Sequence, residues 1–156
     1  MNTSLSSVDL EDALTPAQES AWHGLLATHA SIIRRLDASL RAAHHLGLSA
    51  YEVLLQLALA PERRLRMSEL AAVVPLTLSG ISRMVDRLER DGLVKREGSA
   101  QDGRVSCATL THAGGERLRA AHRTYVSEVR RLFLEHLSDS ELSTLSACWA
   151  RLGECS

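Results

Sequence analysis

The sequence predicts a mainly α-helical fold carrying one small β-hairpin, and three kinds of observation point there. Thr15-Pro16-Ala17-Gln18, Ser49-Ala50-Tyr51-Glu52 and Ser138-Asp139-Ser140-Glu141 are capping-type helix starts, in which a hydroxyl and a side chain three residues on satisfy amide donors that a helix start leaves unpaired. Apolar residues recur at helical spacing, most clearly Ile81, Met84, Val85 and Leu88, the i, i+3, i+4, i+7 stripe of one helix face. Two short strand-like runs, Leu93 to Glu97 and Val105 to Leu110, flank Asp102-Gly103, a dipeptide suited to the positive φ values of a tight hairpin turn.

Each element follows in order. Residues 1–14 are rich in Ser and acids, lack an apolar period and read as a flexible leader. Thr15 with Pro16 at the first helical position starts a long helix. Leu25, Leu26, Ile32, Ile33, Leu36, Leu40 and Ala43 carry it to about His45, and Gly47 is its expected stop. The Ser49 box, with Leu48 and Val53 as a hydrophobic staple, predicts a second helix over about 50–60, ended by Pro61. Met67 to Val74 reads as a short helix capped by Ser68, and Pro75-Leu76 as a tight turn. Thr77 begins the helix of the Ile81 stripe, which Gly92 ends. After the hairpin, Thr111 caps a helix expected to reach about Leu137, its first turn weakened by Gly114 and Gly115 at roughly 1 kcal/mol each. The last helix carries Leu142, Leu145, Trp149 and Leu152 as its stripe, with Leu137 and Leu142 as its staple.

Composition narrows the function. The chain has 156 residues, 45% hydrophobic and 24% charged, the scale of a single domain with a real core. The apolar stretch from Val53 to Pro61 is far short of the ~20 residues a membrane span needs. Four acids and no Lys or Arg in the first 20 residues leave a secretory signal without its basic region, so the expected location is the cytoplasm. Cys107, Cys148 and Cys155 are odd in number and spaced unlike a disulfide framework or zinc knuckles. No glycine-rich phosphate loop, Gly-x-Ser-x-Gly elbow or metal-ligand spacing occurs. No catalytic residue, cofactor or metal is therefore expected. Net charge is −4 over residues 1–20, +1 over 21–61, +2 over 62–104 and 0 over 105–156. The small surplus is central, and 17 of the 18 basic residues are Arg, the better donor to phosphates and base edges.

Helix, helix, short helix, tight turn, amphipathic helix and hairpin, in that order, spell a winged helix-turn-helix. In such a module the amphipathic helix enters a major groove and the hairpin reaches the adjacent minor groove. The candidate DNA-facing residues are Thr77, Ser79, Ser82, Arg83 and Arg87 on that helix and Arg104 at the hairpin tip. The bland alternative for Arg83, Arg87 and Arg90 is a solvated face paired with Asp86, Glu89 and Asp91. For Arg104 it is a hairpin charge beside Asp102. A winged helix can also serve as a protein-protein module, but its interface would favour Tyr, Trp and Met anchors over the Ser and Arg found here.

The stretch from about Trp22 to Leu152 resembles the MarR family of bacterial transcription regulators. The resemblance rests on Met67-Ser68-Glu69-Leu70-Ala71, on the run Ile81-Ser82-Arg83-Met84-Val85-Asp86-Arg87-Leu88-Glu89-Arg90-Asp91-Gly92-Leu93-Val94, on Asp102-Gly103-Arg104 and on Leu110-Thr111-His112-Ala113-Gly114. It implies a homodimer, intertwined through first and last helices, that binds a palindromic operator in double-stranded DNA and is released by a small-molecule effector or an oxidant. By position Ser79, Ser82, Arg83 and Arg87 match the family's recognition helix and Arg104 its wing-tip arginine. Gly103 stands where the family often has a further basic residue. The expected division is a leader at 1–14, a dimerisation helix at 15–47, a DNA-binding region at 48–110 and dimerisation helices at 111–156, forming one intertwined domain. Apart from the resemblance, the apolar stripes of the outer helices need cover that a two-fold partner would supply. Trp22, His29 and Tyr51 are candidate effector contacts, with core or interface packing as the alternative. The expected function is a repressor, with a redox-responsive regulator acting through cysteine as an alternative.

Overall fold

The computed structural model describes residues 14–98 and 106–153. α1 (Pro16–His44) opens as its capping pattern predicts: Gln18 N–H donates to the Thr15 hydroxyl at 3.3 Å, and Thr15 N–H to the Gln18 side chain at 2.8 Å. It runs to His44, as expected, but the residue that ends it differs. His45, not Gly47, takes the left-handed cap, with φ 53°, its N–H bonded to the Arg41 carbonyl at 3.0 Å. Gly47 follows in extended backbone, and a Cβ there would lie 2.7 Å from the tip of the Arg41 side chain, which would have to shift.

α2 (Leu48–Leu59) starts before Ser49, which is inside the helix and is not its cap. The acceptor comes from the preceding helix: Asp37 Oδ1 takes the Leu48 N–H at 2.9 Å, while Arg41 Nε donates to Asp37 Oδ2 at 2.6 Å. A side chain already held by Arg41 across the turn satisfies the first amide of α2, so a local hydroxyl is not required. Arg41 beside Asp37 holds its carboxyl below the usual aspartate value. Asp37→Ala is expected to cost about 1 kcal/mol at neutral pH, the scale of a lost cap. Because the folded-state pKa is the lower one, the carboxylate's contribution is present above the unfolded value. It is lost as pH falls through the folded value, below about pH 4. Urea unfolding of both proteins from about pH 7 to about pH 3 should show the gap closing with acid; a gap independent of pH would contradict the ionic cap.

After α2 a single 3-10 turn (Pro61–Arg63), with Glu62 and Arg63 at φ 54° and 55°, reverses the chain into β1 (Arg64–Arg66). The sequence reading contains no such strand. Three residues are too few to display alternation, and the pairing that defines them lies far along the chain. β1 pairs antiparallel with β3 (Ser106–Leu110), Arg64 opposite Thr109 and Arg66 opposite Cys107. β2 (Val94–Gly98) pairs with the other edge of β3, Val94 opposite Leu110 and Gly98 opposite Ser106, giving the order β1-β3-β2. The hairpin is present as predicted; its expected turn, Asp102-Gly103, lies outside the described residues.

α3 (Met67–Val73) is preceded by Arg66, whose N–H donates to Glu69 Oε2 at 2.7 Å, so Ser68 lies inside it and is not its cap. β1 delivers the chain extended to Arg66, so the helix starts at Met67 as expected but its cap stands two residues before Ser68. α4 (Leu78–Arg90) is capped by Thr77, whose hydroxyl accepts from Gly80 N–H at 3.1 Å, and Gly92 follows it with φ 72°.

α5 (His112–Leu132) has Thr111 as cap, accepting from Gly114 N–H at 3.0 Å and donating to the Gly92 carbonyl at 2.8 Å. It stops at Leu132, short of Leu137. Phe133, with φ −135° and ψ −60°, and a 3-10 turn (Leu134–His136) break the helix, leaving Leu137 extended before the Ser138 capping box of α6 (Asp139–Gly153). Ser138 N–H donates to Glu141 Oε2 at 2.8 Å and Glu141 N–H to Ser138 Oγ at 3.4 Å, as that pattern predicts. One core joins the C-terminal part of α1 (Leu36, Leu40) to α2, α3, α4, the sheet and α5. The N-terminal half of α1 and all of α6 contribute no buried residue.

Candidate nucleic-acid interface

α4 divides cleanly. Ile81, Val85 and Leu88 are buried, each worth roughly 2 kcal/mol in apolar burial, and this pins the orientation of the opposite face. Ser79, Arg83, Asp86, Arg87 and Arg90 are exposed there, with Ser82 half-buried. The Thr77 hydroxyl is committed to capping and lies 3.1 Å from Ser79 Oγ.

The carboxylates of this face are taken by the hairpin. Arg96 of β2 donates from Nη1 to Asp86 Oδ1 at 2.6 Å, from its backbone N–H to Glu89 Oε1 at 2.9 Å and from Nε to Ser106 Oγ of β3 at 2.7 Å. Asp86 and Glu89 therefore fasten the hairpin to α4. Arg83, Arg87 and Arg90 form no ion pair among the described residues; Arg90 Nε donates only to the Asp86 carbonyl, at 3.3 Å. Arg96 is the functional residue that the sequence reading missed. Its charge was visible, but its partners are seven to ten residues away and become partners only when the hairpin folds onto α4. Arg104 lies outside the described residues.

The three candidate effector residues separate. Trp22 and His29 line an open groove of about 700 Å³ between α1 and α6, with Leu25, Phe133, Leu145 and Trp149. Tyr51 is 1% exposed and does not line that groove. Its ring stacks on Tyr125 at 4.7 Å and its hydroxyl meets His122 Nδ1 at 2.7 Å. Burial pushes that hydroxyl's pKa up to about 12. Cys107 is a buried thiol on β3, and Cys148 on α6 accepts a contact from Arg151 Nη2 at 3.3 Å; Cys155 lies outside the described residues. Among the described residues no three His, Cys, Asp or Glu are grouped to hold a metal, and no helix is long and apolar enough to cross a membrane.

A family model described as MarR family matches residues 45–105, a span that holds α2, β1, α3, α4 and β2. The curated HTH-type transcriptional regulator PapX of Escherichia coli is 33% identical over 90 residues. That alignment covers 56% of this chain and 55% of PapX, so the chain spans about half the length of the curated relative it matches. Two crystal structures of Streptomyces coelicolor proteins match far more of the fold. Sco3205, a MarR family transcriptional regulator in complex with DNA, is 31% identical with a TM-score of 0.85, over 92% of this chain and 90% of that one. AbsC, a MarR family transcriptional regulator, is 30% identical with a TM-score of 0.84, over 92% and 96%. The chain, a winged helix-turn-helix held between an N-terminal and a C-terminal helical arm, belongs to the MarR family.

Proposed function

We propose that this protein is a sequence-specific DNA-binding transcription regulator, acting as a homodimer. The observation that carries the reading is the outer face of α4, where Arg83, Arg87 and Arg90 form no ion pair among the described residues, while Arg96 pairs with Asp86 and its backbone N–H engages Glu89. Similarity to a regulator solved with DNA supports it. In this reading α4 enters the major groove, Ser79, Ser82 and Arg83 meet base edges, Arg87 meets a phosphate, and Arg104 reaches the minor groove. Thr77 serves by fixing where α4 begins.

Residues 48–110 form the DNA-binding region, and the arms at 15–47 and 111–156 form the dimer. Trp22, Leu25, Leu26 and Ile33 of the first arm, with Leu134, Trp149 and Leu152 of the second, are left exposed by the protomer; a second copy covers them and sets two α4 helices about 34 Å apart on a palindrome. Repression with release by a small-molecule effector follows. A ligand in contact with the Trp22 and His29 groove lowers DNA affinity by its preference for a dimer whose α4 spacing no longer fits adjacent major grooves. The site of action is the cytoplasm, on the nucleoid.

Arg83→Ala tests base reading. It should reduce the preference for operator over mismatched DNA by about 10- to 100-fold, the range of one bidentate base contact. Equal losses on both DNAs would make Arg83 a backbone contact.

A further inference from the structure

α4 has concave surface on both flanks. On one side Arg83, Arg87 and Arg90 line a cleft of about 530 Å³ with Met84 and the carboxylate of Asp86. On the other, a notch of about 400 Å³ opens between α3, α4 and the hairpin, lined by Arg66, Ser68, Leu78, Ser82, Arg96 and Ser106. No carboxylate lines it. A helix with its side chains is about 10–12 Å across and the major groove about 12 Å wide, so a seated helix lies against a phosphate strand on each flank. In the DNA-binding reading, the strand on the hairpin side runs past this notch.

Resting on the DNA-binding reading above, we infer that the notch is a seat for a backbone phosphodiester, with Arg66 as its principal cation. The Arg66 guanidinium has no ion pair among the described residues, while its backbone N–H, bonded to Glu69 Oε2 at 2.7 Å, fixes where the side chain departs. Glu69 is thereby engaged on the main chain and does not line the notch. Arg96 is held in place by Asp86, which offsets its charge. Ser106 Oγ accepts from Arg96 Nε at 2.7 Å, so its own O–H is left to donate to a phosphate oxygen. The seat positions the DNA strand between the two readers and carries no base information.

The test is the salt dependence of DNA affinity for the full-length protein. Arg66→Ala should reduce the slope of log K against log salt by about 1 per protomer, about 2 for a dimer on its operator, on operator and mismatched DNA alike. Arg66→Lys should restore the slope. The preference for operator over mismatched DNA should stay within about twofold of wild type, unlike that of Arg83→Ala. Arg66 is exposed, so its thermal midpoint should hold and serves as the folding control. A wild-type slope retained by Arg66→Ala, or a loss confined to operator DNA, would overturn the seat while leaving the regulator reading intact. Absence of any competitor-resistant DNA binding by the wild-type protein would overturn both.

Discussion

A single methyl group at position 114 is expected to cost this protein about 3 kcal/mol or more, a large share of the roughly 5–15 kcal/mol typical of a folded domain. Gly114 sits in the first turn of α5, where alanine ordinarily gains about 1 kcal/mol over glycine. The packing reverses that sign. A Cβ at 114 would fall inside van der Waals contact with the Leu93 carbonyl oxygen and 2.7 Å from Leu110 Cδ1. The oxygen belongs to backbone that also receives the Thr111 hydroxyl at 3.0 Å and the Thr111 N–H at 3.1 Å, so it has little freedom to move away. Gly115 is the internal comparison, since its nearest neighbour to a new Cβ is the Arg63 side chain at 3.8 Å. Gly115→Ala should therefore be neutral or stabilising, by up to about 1 kcal/mol. Urea unfolding followed by far-UV circular dichroism separates the two; equal stability for the pair would contradict the close approach of α5 to the strand entry.

Trp22→Asp should convert the dimer to monomer and reduce operator affinity by at least about 100-fold, because two half-sites no longer bind as one unit. Residues 16–30 are exposed along their whole length in the protomer and α6 buries nothing. Trp22 itself is 51% exposed and lines the groove with Trp149. A charge there costs the protomer little, while in a dimer it has to be desolvated or the interface abandoned. Light scattering at about 10 μM protein, with the thermal midpoint of the monomer as control, gives the answer. A dimer that survives the substitution would move the two-fold interface away from the groove.

What was legible in the sequence was local. The capping boxes at Thr15 and Ser138, the Thr77 cap and the buried stripe of α4 each depend on residues within about two turns, and they stand where the pattern puts them. The departures share one cause, a partner distant in sequence that outcompetes a local signal. Asp37 displaces Ser49 as the cap of α2, and β1, invisible by itself, sets the start of α3 ahead of Ser68. Gly114 looks like a weak helix start until Leu93 is placed against it. The same holds for the site. The arginines of α4 were visible as charges, but whether Asp86 and Glu89 neutralised them depended on Arg96, whose position only the folded hairpin decides. Tyr51 was separated from Trp22 and His29 by the packing of α5, which places Tyr125 and His122 against its ring and hydroxyl.

The most direct test of the regulator reading is fluorescence anisotropy of the purified protein on DNA from immediately upstream of its own gene, with excess nonspecific competitor and a salt series. The account predicts saturable, competitor-resistant binding at two chains per site, with an affinity that falls steeply as salt rises. Binding that disappears with competitor at moderate salt, on this DNA and on a genomic library alike, would reduce the exposed arginines of α4 to nonspecific attraction and contradict it.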